Sequence, residues 1–131
     1  MHISQYDKPE IFPKGGPNKP IIGITMGDPS GVGPEVTIKA LVRIFPKKLA
    51  HFIIFGDRFI LHKMMRQMGV SLKVCVVHVP SGLGKHFSLK AYPTRKGGAS
   101  SLNYIKTAVR WALEKRIDGL VTAPVNKESL S

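Results

Sequence analysis

The apolar positions of this chain fall into short runs that alternate with longer amphipathic stretches. Ile21-Ile22-Gly23-Ile24-Thr25-Met26 is almost wholly apolar or β-branched and lies between Pro20 and Gly27, the pattern of a short buried strand. Pro34 then stands where a first helical residue is expected, with Glu35 beside it. Val36, Ala40 and Leu41 follow at helical spacing until Phe45-Pro46. A second strand is read at 51–55 and closed by Gly56. Asp57 is placed to N-cap a helix that carries Phe59, Ile60, Met64 and Met68 and stops at Gly69. Residues 72–77 read as a third strand, and 80–97 as a long basic loop with room for a short strand at 87–91. From 99 to 116, Leu102, Ile105, Val109, Ala112 and Leu113 trace one helical face, which predicts a helix buried on that side. Residues 118–122 give a further strand, broken by Pro124, and 126–131 read as the first turn of another helix.

Strands alternating with helices in this way predict an α/β fold with a parallel sheet and helices on both faces. Residues 1–19 are polar, carry Pro9, Pro13 and Pro17, and read as a flexible leader; 20–131 read as the folded part. No capping sequence follows the last helical turn, so the sequence is expected to be the truncated N-terminal part of a longer subunit.

Composition narrows the function classes. No apolar run approaches the roughly 18–20 residues of a membrane span, and the leader lacks the apolar stretch of a secretory signal. A cytoplasmic location and no membrane partner are therefore expected. Cys75, the single cysteine, has no internal disulfide partner and lies in an apolar run, which predicts a buried core thiol. Twenty Lys and Arg against eight Asp and Glu give a formal charge of +12, which attracts polyanions. The basic residues are nevertheless dispersed, with neither a basic block nor aromatic interleaving, so anionic metabolites are favoured over nucleic acid.

Three loops carry chemistry. Gly27-Asp28-Pro29-Ser30-Gly31-Val32-Gly33-Pro34-Glu35 joins the first strand to its helix, at a strand carboxyl end where parallel α/β sheets bind ligands. Its glycines either let backbone N–H groups approach an anion at a helix N-terminus or serve only a tight turn. Its spacing is neither the dinucleotide fingerprint nor a P-loop. Val121-Thr122-Ala123-Pro124-Val125-Asn126-Lys127 again follows a strand. Thr122 and Asn126 are suited to orient a polar ligand and Lys127 to pair with a phosphate or carboxylate; the plainer alternative is Asn126 as a helix cap and Lys127 as solvated surface. Arg95-Lys96-Gly97-Gly98-Ala99-Ser100-Ser101 is either an anion cradle or a loop whose serines cap a helix, the latter being favoured. The five histidines show no ligand spacing and read as structural.

Taken together, residues 24–35, Gly97-Gly98-Ala99-Ser100-Ser101-Leu102-Asn103-Tyr104 and Asp118-Gly119-Leu120-Val121-Thr122-Ala123-Pro124-Val125-Asn126-Lys127 closely resemble the 4-hydroxythreonine-4-phosphate dehydrogenase (PdxA) family. The resemblance implies an isocitrate/isopropylmalate dehydrogenase-like subunit that works as a homodimer. It implies NAD or NADP as cofactor and a divalent metal (Zn, Mg or Co). The reaction implied is oxidation of a secondary alcohol, with decarboxylation following, on 4-hydroxythreonine 4-phosphate in pyridoxal phosphate (pyridoxine, vitamin B6) biosynthesis. Related enzymes act on threonate or erythronate phosphate. By the same resemblance, Asp28, Gly31, Val32 and Gly33 belong to the cofactor site, with Asp28 ordering the loop and Val32 touching the nicotinamide region. Thr122, Asn126 and Lys127 fall to the substrate. The family's Gly-His-Thr-Glu segment and its three metal-binding histidines lie beyond Ser131, so no catalytic residue and no metal ligand is assigned here. The 131 residues alone are expected to be inactive. Two rival readings are a non-catalytic metabolite-binding fragment, using Lys127 and residues 97–101, and a basic nucleic-acid-binding module.

Overall fold

The computed structural model describes residues 19–81 and 95–123. The elements run β1 (Ile21–Thr25), α1 (Gly33–Ile44), a 3-10 turn (Phe45–Lys47), β2 (His51–Gly56), α2 (Arg58–Met68), β3 (Cys75–His78), α3 (Arg95–Leu113) and β4 (Gly119–Thr122). The strands form one sheet in the order β3-β2-β1-β4, and every pairing is parallel. The expected parallel α/β architecture is present. The leader up to residue 18, the strand at 87–91 and the helix at 126–131 lie outside the described residues.

This strand order fixes where each helix goes. The chain steps outward from β1 to β2 to β3, then crosses back to place β4 on the other side of β1. Parallel crossovers are right-handed, so α1 and α2 share one face of the sheet and α3 takes the other. Phe55 marks the α3 face, its ring meeting Trp111 edge-on with centroids 5.3 Å apart. Gly23 lies beside it: a Cβ there would stand 2.8 Å from Ile117 Cδ1 and 2.9 Å from Phe55 Cε2. A glycine in the central strand thus leaves the space that the Phe55 ring fills. Ile24, Ile53, Ile54, Ile38, Leu41 and Leu61 complete the dry core, each contributing about 1.5–3 kcal/mol by burial. Asp118 fastens β4 to β1 at its start. Its Oδ2 accepts from the Ile21 N–H at 2.8 Å, and its own N–H donates to the Ile21 carbonyl.

Four expectations need correction. The buried face of α1 is Pro34, Thr37, Ile38 and Leu41, while Val36 and Ala40 are exposed. The third strand begins at Cys75, not at residue 72, because residues 71–74 approach the sheet without pairing. α3 begins at Arg95, so Gly97 to Ser101 are its first turns and not a loop. Its inward face is Ser101, Tyr104, Ala108 and Trp111, with Leu102, Val109 and Leu113 exposed. Two stripes about 100° apart compete on this helix, and the one bearing the two large aromatics is buried. Cys75 is buried as expected, and burial pushes its thiol up to about 11, so it is inert at neutral pH.

Candidate functional site

The carboxyl ends of β1 and β4 lie side by side, Thr25 opposite Thr122, and the Ala123 N–H donates to the Thr25 carbonyl. β1 leaves for α1 on one face of the sheet, whereas β4 is reached through α3 on the other, so the strand order reverses between these two neighbours. It is at the carboxyl ends of strands at such a reversal that open α/β sheets bind ligands. Two of the three sequence signals, residues 27–35 and the segment after β4, therefore issue from one crevice. Asn126 and Lys127 lie outside the described residues; Thr122 is exposed at the mouth.

Two strand-to-helix junctions repeat a Gly-Asp pair: Gly27-Asp28 after β1 and Gly56-Asp57 after β2. At the second, Asp57 is the N-cap of α2. Its Oδ1 accepts from the Phe59 and Ile60 N–H groups at 2.9 and 3.4 Å. Its Oδ2 accepts from the Ser81 N–H at 3.0 Å and the Ser81 hydroxyl at 2.6 Å. Ser100 of α3 donates to the Ser81 carbonyl at 3.0 Å, so β2, α2, the segment after β3 and α3 are tied through one carboxylate. The neighbouring Arg58 N–H donates to His78 Nδ1 at 3.0 Å, which places the proton of the neutral imidazole on Nε2. Burial, chiefly, lowers the His78 pKa, with Arg58 adding to this and Asp57 opposing it.

The first junction is built differently. Residues 29–32 intervene between Asp28 and α1, so Asp28 cannot cap the helix. Val32 holds the N-cap position without a side-chain hydrogen bond. Asp28 Oδ1 accepts from the Ser30 N–H at 2.8 Å and the Ser30 hydroxyl at 2.6 Å, and the Gly31 N–H donates to the Asp28 carbonyl. Asp28 Oδ2 is buried and has no partner among the described residues, as is the hydroxyl of Thr25 below it. A buried carboxylate oxygen without a donor is costly, which makes it a position for an incoming N–H or O–H. Gly33 seats the helix start on the strand end: a Cβ there would lie 2.4 Å from the Met26 carbonyl oxygen. Val32 is 46% exposed and presents an apolar side chain at the loop's tip.

Sequence reasoning placed Asp28, Gly31, Val32 and Gly33 in one loop, and the structure brings that loop beside Thr122. It missed the polar floor behind the loop. Ser100, Ser101 and Tyr104 of α3 are buried there. Burial raises the Tyr104 hydroxyl pKa far above its ordinary value, with the Asp57 and Asp28 carboxylates adding to it; the Asp57 backbone and Ser100 partly offset them. The helical spacing of Ser100, Ser101 and Tyr104 was the available signal. Residues 97–101 thus lie inside α3, with Ser100 and Ser101 in the floor, and the reading of these serines as caps at the end of a loop falls away. His62 is an exposed residue of α2, and among the described residues no three His, Cys, Asp or Glu gather as a metal site.

Known proteins agree with this picture. Residues 48–131 match the model of the pyridoxal phosphate biosynthetic protein PdxA. A protein of Symbiobacterium thermophilum, provisionally named D-threonate 4-phosphate dehydrogenase, is 33% identical over 128 residues. The 4-hydroxythreonine-4-phosphate dehydrogenase of Desulforapulum autotrophicum is 29% identical over 129 residues. Each alignment covers 86% of this chain and 38% of the relative, so the chain spans well under half the length of the relatives it matches. The crystal structure of a 4-hydroxythreonine-4-phosphate dehydrogenase from Burkholderia phymatum superposes with a TM-score of 0.76 at 30% identity, over 86% of this chain and 38% of that one. A terephthalate 1,2-cis-dihydrodiol dehydrogenase from Burkholderia xenovorans shares the fold, with a TM-score of 0.71 at 24% identity over 86% and 36% of the two chains. A parallel α/β chain matched by that family model over residues 48–131, well over half of its length, belongs to the PdxA family.

Proposed function

We propose that the complete protein is an NAD(P)- and divalent-metal-dependent dehydrogenase. Its substrate is 4-hydroxythreonine 4-phosphate, its pathway pyridoxal phosphate biosynthesis, and it works as a cytoplasmic homodimer. The observation that carries this reading is the uncapped β1–α1 junction beside the end of β4, in a chain of the PdxA family.

The residues of that junction fit the nicotinamide end of a dinucleotide. A dinucleotide held by these residues would supply the hydride acceptor for oxidation of a secondary alcohol. Val32 offers the ring an apolar contact. Gly31 and Gly33 keep the backbone open to close approach, and Asp28 orders the loop through Ser30 while holding Oδ2 for an N–H or O–H donor. Thr122 would orient a polar substrate group at the end of β4, with Asn126 and Lys127 following and Lys127 pairing with the phosphate. The described residues do not assemble a metal ligand set.

A second reading, threonate 4-phosphate as substrate, is favoured by the provisional name of the Symbiobacterium relative. One assay separates the two: reduction of NAD and NADP by the full natural-length protein with each phosphate and a divalent metal. Turnover of neither sinks the dehydrogenase reading. The 131 residues alone are expected to show no turnover. Retained affinity for either phosphate without turnover would make them a metabolite-binding fragment.

A further inference from the structure

Opposite the crevice, the structure assigns a second surface: we infer that the pole formed by the amino ends of the strands docks on an anionic lipid bilayer. In a parallel sheet all strands begin at one end, where the preceding helices finish. Here that end gathers Arg43, Lys47, Lys48, Arg66, Lys73 and Lys115, none in an ion pair among the described residues. Its carboxylates are engaged: Glu114 lies 3.6 Å from Arg116, and Asp118 holds the Ile21 N–H. From residue 37 to 80 the only carboxylate is Asp57, buried at the other pole. Three helix C-termini carry about half a negative charge each, so the dipoles account for only a fraction of this positive excess.

Two further features point to a lipid surface. The most exposed large apolar side chains of the described residues, Leu113 at 79% and Leu49 at 65%, both lie at this pole, Leu49 next to Lys48 and Leu113 two residues before Lys115. Lys48 and Lys115 themselves take left-handed backbone conformations, φ 52° and 59°, at helix ends where glycine costs least; α2 ends conventionally on Gly69. Leucine tips set among lysines suit a surface that is anionic outside and apolar beneath. A nucleic-acid backbone has no use for the leucines. That no helix among the described residues is long and apolar enough to cross a membrane does not bear on surface docking.

The test is sedimentation of the full natural-length protein with vesicles of about 30% phosphatidylglycerol in phosphatidylcholine, at about 50 mM salt where screening is weak. Pure phosphatidylcholine vesicles and a short DNA duplex are run in parallel. Binding is expected to the phosphatidylglycerol vesicles alone. Lys47→Glu with Lys73→Glu is expected to weaken it by about tenfold or more. Leu49→Ser with Leu113→Ser is also expected to weaken it by about tenfold. All four positions are exposed, and circular dichroism melts check that the variants stay folded. No binding to phosphatidylglycerol vesicles overturns the inference. So does tighter binding to DNA, or binding that the leucine variants leave unchanged, as would follow if other parts of the protein cover these tips.

Discussion

The junctions after β1 and β2 start from the same two residues, glycine then aspartate, and end differently. Asp57 is used to the full: both oxygens accept, its helix is capped, and three other segments hang on it. Asp28, separated from its helix by a few residues, spends one oxygen on its own loop and leaves the other buried and, among the described residues, unmet. The insertion turns a capping device into an opening. The helix start it would have sealed has no side-chain cap among the described residues and stands at the carboxyl end of β1, beside β4.

This contrast breaks if the wrong aspartate carries the stability. Asp57→Ala removes a cap and the anchor of Ser81, and should destabilise the protein by about 3–4 kcal/mol in denaturant titration. A loss no larger than that of Asp28→Ala would contradict the assignment. Gly33→Ala forces a methyl against the Met26 carbonyl, which is backbone and cannot swing aside, and should cost about 2–3 kcal/mol. Asp28→Asn removes a buried charge but keeps an acceptor for Ser30. It should move stability by less than about 1 kcal/mol while weakening cofactor binding by about tenfold, measured by calorimetry on the full protein.

Gly31→Ala sharpens the point, since its Cβ would meet nothing closer than 3.5 Å. It too should leave the melting point near that of the wild type, so any fall in cofactor affinity belongs to the site. The smallest effect comes from His78. Its pKa is lowered in the folded state, so the unfolded chain binds the proton more readily. Its contribution to stability is then full above the ordinary imidazole value and declines as pH falls below it. Protonated Nδ1 also could no longer accept from Arg58. Denaturant midpoints at pH 7.5 and 5.5 should differ in that sense, and less so in His78→Asn.

Much of this was legible in the chain. Gly27, Pro34, Asp57 and Gly69 punctuate the elements by their backbone chemistry, and that chemistry is local. The inward face of α3 was not legible, because Leu102, Ile105, Val109 and Leu113 form as regular a stripe as Ser101, Tyr104, Ala108 and Trp111, and periodicity cannot choose between them. Nor was the role of Ser81, whose partners Asp57 and Ser100 lie 24 and 19 residues away. The loop at residues 27–35 was found because a strand, three glycines and a helix start adjoin in sequence. Its unmet oxygen was visible only once β1, β2 and α3 had closed around it.

The bond from Ile21 to Asp118 spans 97 residues. β1 is one of the two inner strands of the sheet, yet one flank finds its partner only after almost all the described chain has been made. During synthesis β1 and β2 pair early, while the second edge of β1 waits for α3 and β4 to leave the ribosome. Contacts of such long reach slow folding and expose an unpaired edge in the meantime. The same crossing-back that sets β4 beside β1 therefore makes this pairing the last to close in the described sheet, and until then the carboxyl end of β1 stands open on that flank.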